Sequence, residues 1–159
     1  MRRKNGLCWL PATELARRLR RRQLTAVEVL EAHLEQIEEH NPTLNAVVSL
    51  DADRARQLAR AADAALKRGE ILGPLHGVPM TLKDAHDVAG LRTTLGTVEL
   101  DRVADEDGTV AARLRAAGAI VIGHTNVPSW LADHQTASTT TACRSASRSL
   151  DRAGPRCAC

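Results

Sequence analysis

Two short apolar segments with a helical pattern between them restrict the possible folds of this chain more than any other feature. Residues 78–82 predict a strand that enters a polar loop rich in turn residues. Thr109 is predicted to cap a helix that runs to residue 117, where Gly118 ends it. Residues 119–122 form a continuous apolar run, which is typical of a strand inside an α/β sheet. A strand, a helix and a further strand predict a right-handed crossover connection.

Two amphipathic helices are predicted near the start of the chain. Residues 13–22 place two leucines one turn apart among arginines, the pattern of a surface helix that packs on something apolar. Thr25 followed by Glu28 forms a capping box for the second helix. We expect that helix to stop at Asn41 and Pro42, because proline cannot donate a backbone hydrogen bond.

A short strand and a third helix follow. Residues 46–50 are a short β-branched run that predicts a strand, and Asp51 can cap the next helix. The apolar stripe of that helix consists mainly of alanines and ends at Gly69. Helices that alternate with apolar strands place the chain in the α/β class.

The charge pattern argues against nucleic acid or a membrane as a partner. The net charge is only +3, and the arginines at residues 17–22 are interpreted as a solvated helix face, with a polyanion site as the alternative. No apolar run approaches the roughly 20 residues that a membrane-spanning helix requires. The charged start is followed by no apolar stretch, so we expect a cytoplasmic protein.

The cysteines do not form a spaced disulfide framework. Cys8 stands alone, and the other three lie close together at the end of the sequence, at Cys143, Cys157 and Cys159. Reduced thiols are therefore expected. There is no second cysteine pair and no histidine at ligand spacing, so no metal site is predicted.

The segment between the third helix and the loop after the next strand carries a recognisable pattern. Residues 73–84 read Gly-Pro-Leu-His-Gly-Val-Pro-Met-Thr-Leu-Lys-Asp, and threonines and glycines continue to Gly96. This stretch resembles the lysine segment of the amidase-signature family, and the similarity extends over residues 6–136. The resemblance implies an α/β fold in which N-terminal helices pack on a partial mixed β-sheet. Residues 6–136 would be the N-terminal part of that domain.

The same resemblance assigns a catalytic role to Lys83. Members of the family use a lysine, a bridging serine on a cis peptide and a nucleophilic serine, and Lys83 matches the lysine. A neutral amine can accept the proton of a serine hydroxyl as the oxygen attacks an amide carbonyl. A free lysine has a pKa of about 10.4, so such a base needs burial or positive neighbours. From the residues alone, Lys83 and Asp84 can also be an exposed charged turn.

The resemblance further implies a small carboxamide substrate, an acyl-serine intermediate, release of ammonia or an amine, and no cofactor. The serines are the difficulty. In the family they lie downstream in a loop rich in glycine and serine, whereas here no two of the ten glycines are adjacent. None of the serines after Val127 is flanked by glycine: Ser129, Ser138, Ser145, Ser147 and Ser149.

We therefore expect this chain to be truncated before that loop and inactive in hydrolysis. The alternative is a non-catalytic fragment or pseudoenzyme that acts as an interaction module. The oligomeric state is not predicted.

The residues after about 136 differ in kind from those before. Residues 137–159 are rich in Ser, Thr, Arg and Cys without helical or strand periodicity, so they are predicted to be a disordered tail. A reading-frame slip is a hypothesis that would explain the abrupt change. Two smaller departures from the family pattern are His124, where a lysine is common, and Ser129, where a glutamate is common.

Three histidines lie near the lysine segment: His76, His86 and His124. Each could be imagined as a base or a metal ligand. Lone histidines near glycine turns are more often surface hydrogen-bonding groups, and that is the interpretation taken for His76 and His86.

Overall fold

A computed structural model describes residues 6–132 of the chain. The predicted tail at residues 137–159 and the predicted domain limit at residue 136 lie outside the described residues. The helices and strands follow the order α1 (Ala12–Arg20), α2 (Ala26–Leu44), β1 (Val47–Leu50), α3 (Ala52–Lys67), β2 (Pro79–Lys83), β3 (Arg92–Thr93), β4 (Arg102–Val103), α4 (Thr109–Ala116) and β5 (Ile120–Thr125).

Helix α2 begins as the sequence predicts and ends later. The Thr25 hydroxyl accepts from the Glu28 N–H at 3.1 Å, and the Glu28 carboxylate accepts from the Thr25 N–H at 2.9 Å, which completes the capping box. The expected stop at Pro42 is wrong, because the helix continues to Leu44. The Asn41 side chain exchanges two hydrogen bonds of 2.8 Å with the Val47 backbone, and these bonds stabilise the last turn.

Helix α3 lies against α2 and the sheet. The Asp51 carboxylate accepts from the Arg54 N–H at 3.1 Å, so the predicted cap is confirmed. Ala55, Ala59 and Ala62 are buried on the inner face, where their small side chains allow close approach of the backbones. The main apolar cluster joins α1, α2 and α3 to Val78, just before β2, and to Ile120 and Ile122 of β5.

The described sheet is mixed, as expected from the family resemblance. Its strand order is β1-β5-β2, with β5 antiparallel to β1 and parallel to β2. Helix α4 lies between β2 and β5 in the chain and packs on β5, so it belongs to the crossover that joins the two parallel strands. The N-cap of α4 is Gly108 and not Thr109, because a hydrogen bond from the Gly108 N–H to the Asp87 carbonyl fixes the chain one residue earlier.

A second apolar cluster contains Leu82 and Val121 from the strands and Ala111 from α4. Successive side chains of a strand point to opposite faces, so this cluster lies across the sheet from the main one. The sheet is therefore covered on both faces where β2 and β5 pair. No helix within residues 6–132 combines the length and the apolar character needed to cross a bilayer.

Candidate active site

Lys83 is the last residue of β2 and lies beside the end of β5. It pairs in register with Thr125, and the two parallel strands end at the same edge of the sheet. The Lys83 carbonyl accepts from the His86 N–H at 3.1 Å as the chain turns away. The lysine side chain is exposed, so the described residues do not bury it beneath the sheet.

Asp84 follows the lysine and is almost fully buried, at 2% exposure. Its N–H donates to the Thr125 carbonyl, and its carbonyl accepts from the Leu95 N–H. Its carboxylate accepts from the Thr94 N–H at 2.9 Å and from the Thr94 hydroxyl. The pair of charged residues is therefore not an exposed turn: the lysine faces solvent while the aspartate is held inside by four hydrogen bonds.

The loop around Thr94 connects this edge to the segment after β5. The Gly96 carbonyl accepts from the Ser129 hydroxyl at 2.9 Å, and the Leu95 carbonyl accepts from the Trp130 N–H at 2.9 Å. Leu95 and Trp130 have φ values of 52° and 58°, a left-handed conformation that is uncommon for residues with a side chain. Strained backbone of this kind tends to cluster at functional sites.

A β-bulge brings His124 to the same face of the sheet as Asp84. Met80 pairs with Val121 and Thr81 with Gly123, so Ile122 is the extra residue on β5. After the bulge, His124 pairs with Leu82 and is fully buried. Its Nδ1 donates to the Arg92 carbonyl at 2.9 Å and lies 3.6 Å from the Asp84 carboxylate.

His76 is buried, so its interpretation as a surface group is wrong. Its Nδ1 accepts from the Leu72 N–H at 3.1 Å, and its Nε2 donates to the Ala62 carbonyl at 3.1 Å. Both ring nitrogens are thus used to hold the loop after α3 against that helix, and the residue is structural. His86 is partly buried.

The described residues contain no arrangement that could replace the missing serine nucleophile. Their two serines are Ser49 and Ser129, and Ser129 donates its hydroxyl proton to a backbone carbonyl. No cis peptide occurs within residues 6–132. Burial raises the pKa of the Cys8 thiol, and Glu35 adds to the effect, which disfavours the reactive thiolate.

A groove lies beside β2. This groove of about 490 Å³ under α2 is lined by Thr81, on the face of β2 to which Lys83 also belongs, and by the side chains of His33 and His40. No three His, Cys, Asp or Glu side chains in the described part of the chain are grouped to hold a metal ion.

The sequence did not predict that Asp84 would contact Thr94 and His124. The turn residues around Thr94 are visible in the sequence, but the contact with Asp84 joins residues ten positions apart. The position of His124 depends on a β-bulge that no residue pattern predicts.

Comparison with known proteins identifies the family. The family model for amidases matches residues 28–152. The chain is 39% identical to an acylamidase of Rhodococcus erythropolis over 126 residues, which is 79% of this chain and 26% of that protein. It is 38% identical to an amidase of Pseudomonas putida over 122 residues, which is 77% of this chain and 26% of that protein.

Solved structures agree with this assignment. The peptide amidase of Stenotrophomonas maltophilia superposes with a TM-score of 0.74 at 32% identity, over 79% of this chain and 26% of that one. The chain thus spans about a quarter of the length of the relatives it matches. Sequence and structural likeness over most of its own length show that the chain belongs to the amidase family.

Proposed function

We propose that this chain carries the proton-accepting lysine of an amide hydrolase, and that Lys83 is that lysine. The observation that carries the proposal is the position of Lys83, exposed at the shared carboxyl edge of β2 and β5, on a frame that resembles solved amidases. An amine placed there can approach a serine supplied from outside the described residues. The substrate class is a small carboxamide, cleaved through an acyl-serine to a carboxylate and ammonia or an amine.

We also propose that the 159-residue chain does not hydrolyse amides by itself. Support comes from its serines, none of which after Val127 is flanked by glycine, and from the engagement of the Ser129 hydroxyl with a backbone carbonyl. Acyl transfer needs a nucleophile and oxyanion donors about 3 Å from the developing charge. The same observation favours a second candidate, a non-catalytic chain that acts as an interaction module.

The first experiment uses the purified chain. We expect no ammonia release from simple carboxamides and no serine adduct with an amide-mimicking phosphonate. Turnover that disappears in Lys83→Ala would contradict the proposed inactivity and would confirm the role of the lysine.

The second experiment separates the two candidates. In a chimera, residues 6–132 replace the aligned segment of the Rhodococcus acylamidase. We expect an active chimera, whose kcat falls at least about 100-fold in Lys83→Ala, as for loss of a general base. Lys67→Ala, which removes an exposed lysine at the end of α3, is the matched control and should leave kcat unchanged. An active chimera that tolerates Lys83→Ala would refute the catalytic assignment.

The remaining assignments are part of the proposal. We propose that the amidase-like domain ends near residue 136 and that residues 137–159 form a separate tail, although the family match runs to residue 152. The change in composition supports that limit. A cytoplasmic location is supported by the cysteine spacing.

A further inference from the structure

We infer that Asp84 is a positioning residue for Lys83: its buried carboxylate clamps the Thr94 loop against the end of β2 and so fixes the backbone from which the exposed Lys83 side chain projects. The inference rests on the proposed function, because it matters for chemistry only if Lys83 is the base. It concerns a residue that neither touches the substrate nor moves a proton.

The hydrogen bonds of Asp84 connect it to the end of β5 and to the loop around Thr94. Its backbone N–H continues the β2–β5 ladder to the Thr125 carbonyl at 3.0 Å. Its other three contacts reach adjacent residues of one loop: the Leu95 N–H at 3.1 Å, the Thr94 N–H at 2.9 Å and the Thr94 hydroxyl. Asp84 therefore joins the sheet edge to this loop at the residue next to the lysine.

Thr94 transmits the constraint. Its hydroxyl donates to the Asp84 carboxylate and accepts from the Gly96 N–H at 3.1 Å, so the carboxylate orients the whole turn. Gly96 lies so close to the segment after β5 that a Cβ there would be 2.6 Å from the Val127 carbonyl oxygen. The turn is thus packed on the chain that leaves β5, and the Lys83 backbone is fixed by its pairing with Thr125 and by the bonds of the next residue.

Burial of the Asp84 carboxylate indicates that it does more than let the chain turn after β2. An ionised carboxylate is costly to bury unless hydrogen bonds compensate it. Asp84 is 2% exposed, and the His124 ring lies 3.6 Å from its carboxylate. The turn also holds Leu95 at a φ of 52°, which unconstrained backbone would relax. Asp84 and Thr94 therefore maintain a geometry that the loop would not adopt by itself.

The test uses the full chain and does not depend on hydrolysis. Lysines occur only at Lys4, Lys67 and Lys83, so selective ¹⁵N-lysine labelling allows the backbone amides of the last two to be assigned and compared by NMR relaxation. We expect the Lys83 amide to be as rigid as that of Lys67 at the end of α3, and Asp84→Ala to make the Lys83 amide more mobile. Amide exchange at Leu95 and Gly96 should accelerate at least ten-fold in the same variant, while amides of α2 keep their protection.

Three further variants make the result specific. Asp84→Asn keeps the planar shape and can accept from the Thr94 N–H while donating to its hydroxyl, so it should rescue both signals. Thr94→Val removes the hydroxyl with little change of volume and should reproduce part of the loss in a folded protein. Asp53→Ala, which removes an aspartate of α3 whose side chain is 92% exposed, is the matched control and should leave Lys83 unaffected.

Unchanged Lys83 relaxation in a folded Asp84→Ala or Thr94→Val protein, or failure of Asp84→Asn to rescue, would overturn the inference. An inactive chimera would count against the proposed function and not against this inference, because none of these measurements depends on hydrolysis.

Discussion

At the scale of single residues, Gly123 shows why one position in an apolar strand has no side chain. It lies in β5 opposite Leu50 of the neighbouring strand β1. A Cβ built there would be 2.2 Å from the Ser49 carbonyl oxygen. Its φ is not in the left-handed range that would by itself favour glycine. The reason for glycine is therefore space, and the neighbouring atom is backbone that cannot move aside easily.

Gly123→Ala should therefore destabilise the protein. Forcing a methyl group against the β1 backbone should cost about 1–3 kcal/mol of unfolding free energy, as for other overpacked sites. Urea unfolding followed by circular dichroism measures the loss. Gly108→Ala is the control, since its Cβ would meet nothing closer than 3.4 Å, and it should cost less than about 1 kcal/mol, from the poorer N-cap alone. Equal losses in the two variants would show that crowding at β1 is not the cause.

The candidate site is also only partly predictable at this scale. Lys83 is nominated as the base by the resemblance of the whole segment 73–84 to the family. The burial of Asp84 is not predictable, since an aspartate beside a lysine in a polar loop is equally compatible with solvent exposure. Only the fold brings Thr94 to its carboxylate.

At the scale of elements, the short pair β3–β4 is tied to the loop after Lys83 by an ion pair. The Arg102 guanidinium makes two hydrogen bonds of 2.8 and 2.7 Å with the Asp87 carboxylate. Those bonds hold the pKa of Asp87 below its usual value. A carboxyl group whose pKa is lowered by folding stabilises the protein above its unfolded pKa, about 3.9, and loses that contribution as pH falls through the folded value.

Arg102→Ala should raise the pKa of Asp87 toward about 3.9. The variant should be less stable than the wild type at pH 7, and the difference should shrink as pH falls from about 4 through the lower folded pKa at which the wild-type carboxylate becomes protonated. Carboxyl ¹³C NMR titration measures the pKa of Asp87. Urea unfolding at pH 7 and at a pH below about 4 measures the difference in stability. Arg113→Ala removes an exposed arginine of α4 and should leave the titration of Asp87 unchanged. A stability difference that grows in acid would contradict the sign.

The start of α2 illustrates how far element prediction reaches. The capping box of Thr25 and Glu28 is visible in the sequence and occurs in the structure. The next two N–H groups, of Ala26 and Val27, donate to the Asp63 carboxylate of α3 at 2.7 and 3.2 Å. That second cap comes from a residue 37 positions away, and no local pattern indicates it.

At the scale of the whole molecule, stability depends on the layer of helices that covers one face of the sheet. Leu30 of α2 is fully buried in the main apolar cluster, together with side chains of α1, α3 and the strands. Domains of this size are stable by only about 5–15 kcal/mol. A single cavity in this layer is therefore a large fraction of the total.

Leu30→Ala should cost about 2–5 kcal/mol of unfolding free energy, because it removes buried methyl groups and leaves a cavity. Leu44→Ala provides the comparison within the same helix, since Leu44 is 68% exposed, and should change stability by less than about 0.5 kcal/mol. Chemical unfolding of both variants decides the point. Similar losses at the two positions would mean that α2 does not pack on the sheet as described.

The sequence by itself determined the class of fold and the helices and main strands, and its resemblance to a family nominated Lys83 as the candidate base. These follow from local periodicity, from capping residues and from one continuous segment, all of which act over a few residues. The tertiary structure alone decided the parallel pairing of Lys83 with Thr125, the bulge that places His124 beside Asp84, and the burial of Asp84 against Thr94. Such contacts join residues far apart in the chain, and their energies depend on the packing of the complete sheet.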